Sequence, residues 1–229
     1  MAVPTEKTPG MRVMVFGASG MVGQGVLREC LRDDGVESVL AVGRTASGCT
    51  HAKLAESVLA DLSRIEDLGS GLAGYDACFD CLGTSAAGRS EADYTRQTYE
   101  LTLTIAKALV ARNPGMTFVY VSGAGTDSTE RGRVMWARVK GRTENALLAL
   151  PFKAACMFRP ALIQPLHGIR SKTAAYRVFY ALLWPLMPLL RRAWPGYVTT
   201  TEQIGRAMLR VAREGAPQRV LETADINAL

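Results

Sequence analysis

Short apolar runs alternate along the chain with longer segments in which apolar residues recur every three or four positions. Arg12 to Phe16 is a buried-strand pattern that ends at a glycine. Met21 to Arg32 has apolar residues at 22, 26, 27 and 31, the spacing of an amphipathic helix. Further helices are predicted over 91–112, 133–150 and 202–214. Further strands are predicted at 38–42, 57–59, 76–82, 116–121 and 153–158, with a candidate last strand at 218–222.

Strands that alternate with helices predict βαβ units and a parallel sheet covered on both faces. We therefore expect an α/β fold with a doubly wound parallel sheet, the Rossmann fold, in strand order 3-2-1-4-5-6 with a candidate seventh strand. The alternation breaks between about 161 and 200. We expect that stretch to form a small helical lid on a single domain over residues 1–229.

Composition excludes several classes of protein. Apolar residues make up 48% of the 229 residues, enough to exclude a disordered chain. The net charge of +6 favours anionic partners, but the basic residues are scattered, so we expect no nucleic-acid partner. Five irregularly spaced cysteines argue against a disulfide framework, and two histidines are too few for a typical zinc site. The polar N-terminus lacks a signal-peptide core, so we expect a cytoplasmic location.

A glycine-rich turn follows the first predicted strand and opens the first helix, with the spacing G-x-x-G-x-x-G. Glycines in such a turn let the backbone approach a pyrophosphate, and the helix N-terminus supplies free N–H groups. The turn therefore predicts dinucleotide binding, unless its glycines serve packing only. The candidate cofactor-binding residues here are Gly17, Ser19, Gly20, Met21, Val22 and Gly23.

The end of the second predicted strand bears on the choice between NAD and NADP. An acidic residue there would bind the ribose 2′-hydroxyl of NAD. This chain instead has Arg44 and Thr45, and a guanidinium suits a phosphate. We therefore expect NADP(H) to be favoured over NAD(H). The alternative is that Arg44 is a solvated loop residue.

Together these segments resemble the short-chain dehydrogenase/reductase superfamily, of the extended or atypical kind. The resemblance covers most of the chain. It rests on the glycine turn and on the segments Asp61-Leu62, Cys81-Leu82-Gly83-Thr84, Val121-Ser122-Gly123-Ala124, Lys140-Gly141 and Arg159-Pro160. Within the superfamily the chain resembles the Tat-interacting-protein-like oxidoreductases, through Arg138-Val139-Lys140-Gly141, Phe158-Arg159-Pro160 and the tail Leu221 to Ile226.

The resemblance implies a role for each of these positions. Asp61 and Leu62 would lie beside the adenine, and Pro160 would line the nicotinamide pocket. Ser122 would lie next to the nicotinamide, and Lys140 would hold the nicotinamide ribose. The residues expected beneath the cofactor are Leu82, Gly83 and Thr84. Two alternatives stay open: Asp61 as a helix N-cap, and Ser122 as a loop hydroxyl bonded to backbone.

One position departs from the pattern of these reductases, which use a Tyr-x-x-x-Lys pair as proton donor. Lys140 is present, but the residue four positions earlier is Trp136. An indole N–H donates a hydrogen bond but does not release a proton near neutral pH. Two hypotheses follow. Either the chain is an oxidoreductase on a small carbonyl or alcohol with another proton donor, such as Ser122, a water held by Lys140, Tyr99 or Tyr197, or it is an inactive NADPH-binding sensor or scaffold.

The segment Val178 to Leu190 is 13 residues long and has no charged residue. It is too short for a membrane span, which needs about 20 residues. Four interpretations stay open: a core helix, a lid over an apolar substrate, a homodimer surface, or a peripheral contact with anionic lipid through its basic flanks.

Overall fold

The computed structural model describes residues 10–169 and 187–229. In chain order its strands are β1 (Met11–Phe16), β2 (Val36–Gly43), β3 (Leu54–Val58), β4 (Ala77–Asp80), β5 (Thr117–Val121), β6 (Ala154–Arg159), β7 (Leu162–Gln164), β8 (Val198–Thr200) and β9 (Val220–Glu222). Its helices are α1 (Met21–Arg32), α2 (Glu91–Thr95), α3 (Leu101–Val110), α4 (Met135–Leu148), α5 (Met187–Ala193), α6 (Thr201–Glu214) and α7 (Thr223–Ala228). A 3₁₀-helical segment (Leu62–Leu72) and a π-helical turn (Arg96–Glu100) complete the helical structure of the described residues.

Seven strands form one parallel sheet in the order β3-β2-β1-β4-β5-β6-β9. The predicted Rossmann order and its candidate seventh strand are therefore confirmed, in a single domain. The order reverses direction between β1 and β4. In open parallel sheets, ligands bind beyond the carboxyl ends of the strands at such a switch point.

The sheet is buried on both faces because its strands alternate side chains between two cores. Val13 and Val15 of β1 face a core that contains α1 and α6. Met14 and Phe16 face the opposite core, which contains the 3₁₀ segment, α3 and α4. Because neighbouring residues of one strand pack against different helices, each strand reads as a continuous apolar run.

Two predicted elements differ from the structure. The third strand starts at Leu54, earlier than the predicted 57–59, because the alternating residues from Leu54 onward pair with β2 along their whole length. The predicted helix over 91–112 is α2, the π-helical turn and α3 in succession. Helical periodicity does not distinguish a single π-helical turn from a continuous α-helix.

The predicted lid over about 161–200 lies partly outside the described residues, which omit 170–186. Its described part consists of the two-stranded sheet β7-β8 and the short helix α5. Most of the apolar segment 178–190 lies outside them as well. In the part of the chain that is described, no helix has the length and apolar character needed to cross a bilayer.

Candidate functional site

At the glycine turn, the end of β1 lies close to the end of β4. Gly17 has a φ of +74°, and a Cβ on it would lie 2.7 Å from the carbonyl oxygen of Cys81. A Cβ on Gly23 would lie 2.1 Å from the carbonyl oxygen of Gly17. The N-cap of α1 is Gly20, which has no side chain to cap the helix. The first backbone N–H groups of α1 therefore have no side-chain cap, and a helix N-terminus of this kind suits a pyrophosphate.

The end of β2 lies beside this turn. The Thr45 hydroxyl donates to the Ser19 hydroxyl over 3.1 Å, which joins the loop after β2 to the glycine turn. Arg44, the preceding residue, is exposed. Two hydroxyls thus lie at one edge of the turn, next to the exposed Arg44.

A cleft of about 440 Å³ opens next to Arg44. Its volume is within the usual range for small-molecule and cofactor sites. Six residues predicted to bind the cofactor line it together: Arg44, Asp61, Leu62, Leu82, Gly83 and Thr84. The cleft is also lined by three residues of the π-helical turn, Arg96, Gln97 and Glu100. Sequence reasoning missed these three residues, because their helical segment gives no local signal of a ligand.

Asp61 has a capping role at the edge of this cleft. Its carboxylate accepts a hydrogen bond from the backbone N–H of Ser63 over 2.9 Å and caps the 3₁₀ segment. That bond holds the pKa of Asp61 below its ordinary value. Leu62 is buried in the core behind it. Asp61 therefore acts as an N-cap, the alternative considered for it, and it also lines the cleft.

The ends of β5 and β6 are held together at Ser122 and Pro160. The backbone N–H and the hydroxyl of Ser122 both donate to the carbonyl of Phe158, over 2.9 and 3.1 Å. The N–H of Ala124 donates to the carbonyl of Pro160 over 3.0 Å. The hydroxyl hydrogen of Ser122 is therefore engaged with backbone, the alternative considered for this residue.

Lys140 extends from α4 toward the same strand ends. Its ammonium donates to the carbonyls of Val121, over 3.4 Å, and Ser122. It also lies 5.7 Å from the centre of the Tyr120 ring. Trp136, one turn earlier on α4, is half-buried, with its ring against Gly125 in the loop after β5. The structure thus brings Ser122, Trp136 and Lys140 to the carboxyl end of β5.

Gly141 explains why α4 and this loop lie so close together. A Cβ at Gly141 would be 1.8 Å from the carbonyl oxygen of Asp127. Any side chain would therefore push the loop and the helix apart. The turns of α4 that carry Lys140 and Trp136 would then move away from the loop. A glycine next to Lys140 therefore allows α4 to approach the loop closely enough to place the Lys140 side chain at the site.

Asp80 is a fourth residue that sequence reasoning missed. It ends β4 and is completely buried. Its Oδ1 accepts from the N–H of Leu82 over 2.9 Å, while Oδ2 has no hydrogen-bond partner among the described residues. Burial raises the pKa of Asp80 to about 7, against the lowering effects of the Leu82 N–H and Lys140. A charged residue inside the apolar run 76–82 was the available signal.

The pKa of Lys140 is shifted in the opposite direction to that of Asp80. Burial lowers the pKa of its ammonium to about 8, and the charges of Asp80 and Glu144 limit the fall. The pKa values of these two groups are thus shifted toward each other at the point where β4 and β5 end. In the described ranges, no group of three or more His, Cys, Asp or Glu side chains is arranged to hold a metal ion.

Comparison with protein families gives a match over residues 17–149 to a family described as NAD(P)H-binding. The chain is 32% identical over 225 residues to the protein fmp52-2, mitochondrial, of Aspergillus oryzae, covering 93% of each chain. It is 30% identical over 204 residues to the protein fmp52, mitochondrial, of Emericella nidulans, covering 85% of this chain and 84% of that one. The expected cytoplasmic location is wrong in the light of these relatives, which are named as mitochondrial proteins.

Solved structures with the same fold have low sequence identity to the chain. WbmF of Bordetella bronchiseptica, solved with NAD⁺, superposes with a TM-score of 0.66 at 17% identity, over 96% of this chain and 77% of that one. A short chain dehydrogenase family protein of Francisella tularensis has a TM-score of 0.65 at 14% identity, over 90% of this chain and 92% of that one. These likenesses confirm the predicted fold. The narrower resemblance to Tat-interacting-protein-like oxidoreductases stays a prediction.

Proposed function

Since the chain belongs to the NAD(P)H-binding family and is similar over most of its length to fungal Fmp52 proteins, we propose that it is an NADP(H)-dependent oxidoreductase. Its substrate class is a small carbonyl compound or the corresponding alcohol. The observation that carries the proposal is the cleft beside the glycine turn, where six expected cofactor residues lie together and Ser122 and Lys140 lie at the neighbouring strand ends.

The pyrophosphate of the cofactor would lie on the glycine turn and the N-terminus of α1. Leu82, Gly83 and Thr84 would line its path along the cleft, and Asp61 and Leu62 would border the adenine. Ser122, Lys140 and Pro160 would border the nicotinamide end.

The preference for NADP(H) is supported by the groups at the end of β2. The sequence there is Val42-Gly43-Arg44-Thr45, without a carboxylate to bind a ribose 2′-hydroxyl. Arg44 lines the cleft, and the Ser19 and Thr45 hydroxyls lie beside it. A guanidinium and hydroxyls together suit a 2′-phosphate.

Fluorescence titration with NADPH and NADH tests the cofactor assignment. A charged hydrogen bond contributes about 1.5–3 kcal/mol, so we expect NADPH to bind about tenfold to a hundredfold more tightly than NADH. Arg44→Asp should remove that preference. Arg219→Asp is the matched control, because Arg219 is exposed and precedes β9 at the amino end of the sheet. Equal affinity of the native chain for the two cofactors would contradict the assignment.

A second candidate function is an NADPH-binding sensor without turnover. The observation that favours it is Trp136, which occupies the helix turn before Lys140 where the resemblance implies a tyrosine. Incubation of the native chain with NADPH and a panel of small aldehydes and ketones separates the two functions. Consumption of NADPH supports the oxidoreductase, and tight binding without consumption supports the sensor.

A further inference from the structure

We propose that the Lys140 ammonium is the proton donor of the reaction and that buried Asp80 is the positioning residue that controls it. This inference rests on the proposed oxidoreductase function and gives Lys140 the task that the tyrosine performs in similar reductases. Asp80 has no place in the pattern that the sequence resembles, and its buried, partly unpartnered carboxylate needs an explanation.

The other candidate donors are engaged elsewhere. Ser122 already donates its hydroxyl hydrogen to the Phe158 carbonyl. Tyr99 packs beneath the Arg142 guanidinium at 4.1 Å, and Tyr197 is 69% exposed. Tyr120 is completely buried, which raises the pKa of its phenol. Trp136 cannot release its indole proton near neutral pH.

The hydrogen bonds of Lys140 leave one of its protons available. An ammonium group has three N–H donors. Two of them bond to the carbonyls of Val121 and Ser122, and the third has no partner among the residues that the structure describes. The two hydrogen bonds hold the nitrogen at the carboxyl end of β5. The third N–H can therefore donate to a substrate oxygen from a fixed position.

Asp80 lies on the sheet face that α4 covers. It pairs with Tyr120 in register across β4 and β5, and it shares its face with Cys78, two residues earlier. Thr102 of α3 borders its carboxyl group. The Lys140 ammonium lies 5.7 Å from the centre of the ring of Tyr120, the register partner of Asp80, so the ammonium and the Asp80 carboxyl group belong to one cluster between β4, β5 and α4. At that position a charge on Asp80 raises the pKa of Lys140.

Glu144 also faces Lys140, one turn later on α4, but its charge is already committed. It is completely buried and forms an ion pair with Arg159 through the guanidinium Nε, over 3.0 Å. The remaining ionisable groups that interact with Asp80 are neutral at physiological pH, because burial raises the pKa values of Cys78, Cys81 and Tyr120. Of these two carboxyl groups, Asp80 is therefore the one that forms no ion pair with a described residue.

The proton transfer balances as follows. The hydride that reaches the carbonyl carbon of the substrate would come from NADPH held on the glycine turn, which would be left as NADP⁺. One N–H bond of Lys140 breaks, an O–H bond forms on the substrate oxygen, and the product is an alcohol. Lys140 is left as a neutral amine and regains a proton from water. The carboxylate of Asp80 favours this return, because a negative charge stabilises the ammonium form.

The first test uses NMR and does not depend on activity. The ¹³Cε resonance of Lys140, assigned with Lys140→Met, should titrate near pH 8 in the native chain. Asp80→Asn should move that midpoint down by about one pH unit, the usual effect of losing one opposite charge. The matched control is Asp76→Asn, because Asp76 is exposed at the other end of β4. A native Lys140 that titrates above pH 10, or a midpoint unchanged by Asp80→Asn, overturns the inference.

If Asp80→Asn fails to fold, the ¹³Cγ resonance of Asp80 in the native chain gives the same information. It should titrate near pH 7 and show a second inflection with Lys140, as coupled groups do. A single titration near pH 4 would overturn the inference.

The second test is the pH profile of NADPH oxidation in single turnover with an aldehyde from the panel. The rate should fall as the pH rises through the Lys140 midpoint, and Asp80→Asn should move that fall to lower pH by the amount seen by NMR. A rate that does not fall as the pH rises through the Lys140 midpoint, and a profile that Asp80→Asn does not shift, would overturn the inference without contradicting the oxidoreductase function. NADPH binding with no turnover of any aldehyde or ketone contradicts the proposed function itself, whereas the NMR result still reports on the pair.

Discussion

The two ends of the site are built in different ways. The cofactor end uses backbone and exposed groups: glycines at Gly17 and Gly23, an uncapped helix N-terminus at Gly20, and Arg44 at the surface. The reaction end uses ionisable side chains, the buried Asp80 and the half-buried Lys140, held by strand ends and α4. Steric space therefore controls the first end and electrostatics controls the second, so the two ends should respond to different kinds of substitution.

The largest effect should come from Lys140→Arg. Arginine keeps the positive charge but does not lose its proton near neutral pH. Single-turnover NADPH oxidation should fall by about 10²–10⁴, the usual contribution of general acid catalysis. The NADPH Kd, measured by fluorescence, should change much less, because the cleft and glycine turn are unaltered. Retention of native turnover by this variant would show that charge alone is required at the reaction end.

Gly23→Ala should have a smaller effect, and it should weaken NADPH binding rather than turnover. The new Cβ would lie 2.1 Å from the Gly17 carbonyl oxygen, so the turn must move. Overpacking of this kind typically costs about 1–3 kcal/mol, and we expect NADPH affinity to fall by about tenfold or more. Gly115→Ala is the control, because a Cβ there meets no atom within 4 Å. Unchanged affinity in Gly23→Ala would mean that the turn tolerates displacement and that space does not control this end.

The smallest effect concerns the ion pair that supports α1 from the α6 side. Arg213 donates to Asp33 over 2.9 Å and, with the N–H of Gly35, holds the pKa of Asp33 below its ordinary value. A lowered carboxyl pKa adds stability above the unfolded pKa, about 3.9, and that stability is lost as the pH falls through the folded value. Urea unfolding should show Asp33→Asn less stable by up to about 1 kcal/mol at pH 7 and equal to the native chain near pH 2. A difference that persists at pH 2 would indicate a steric rather than an ionic cause.

The cofactor end could be predicted from sequence because its determinants are local. Gly17, Gly20 and Gly23 fall within seven residues, and the strand and helix around them are strongly patterned. The sheet order followed from the alternation of such units. The start of the third strand was less accessible, since an edge strand with half-exposed residues such as Leu54 has a weak apolar pattern.

The reaction end could be predicted only in part. Lys140 was found through a resemblance, and Asp80 was visible as one charge in an apolar run. Their interaction joins residues 60 positions apart through the packing of α4 on β4 and β5, which no local pattern records. The same limit applies to the hydroxyl of Ser122, whose bond to Phe158 depends on the β5-β6 register.

The π-helical turn Arg96–Glu100 has a consequence for how this protein can change. A π-helical turn is commonly one residue inserted into an α-helix, and each residue of an α-helix adds a rotation of about 100°. Glu91 of α2 pairs with Arg138 on α4, while α3 packs beneath the sheet. Deleting one residue from the turn would leave α2 and α3 out of phase with these two partners. Insertions and deletions here are therefore constrained in a way that point substitutions at the exposed Arg96 and Gln97 are not, and variation in the wall of the cleft should arise by exchange of side chains at constant length.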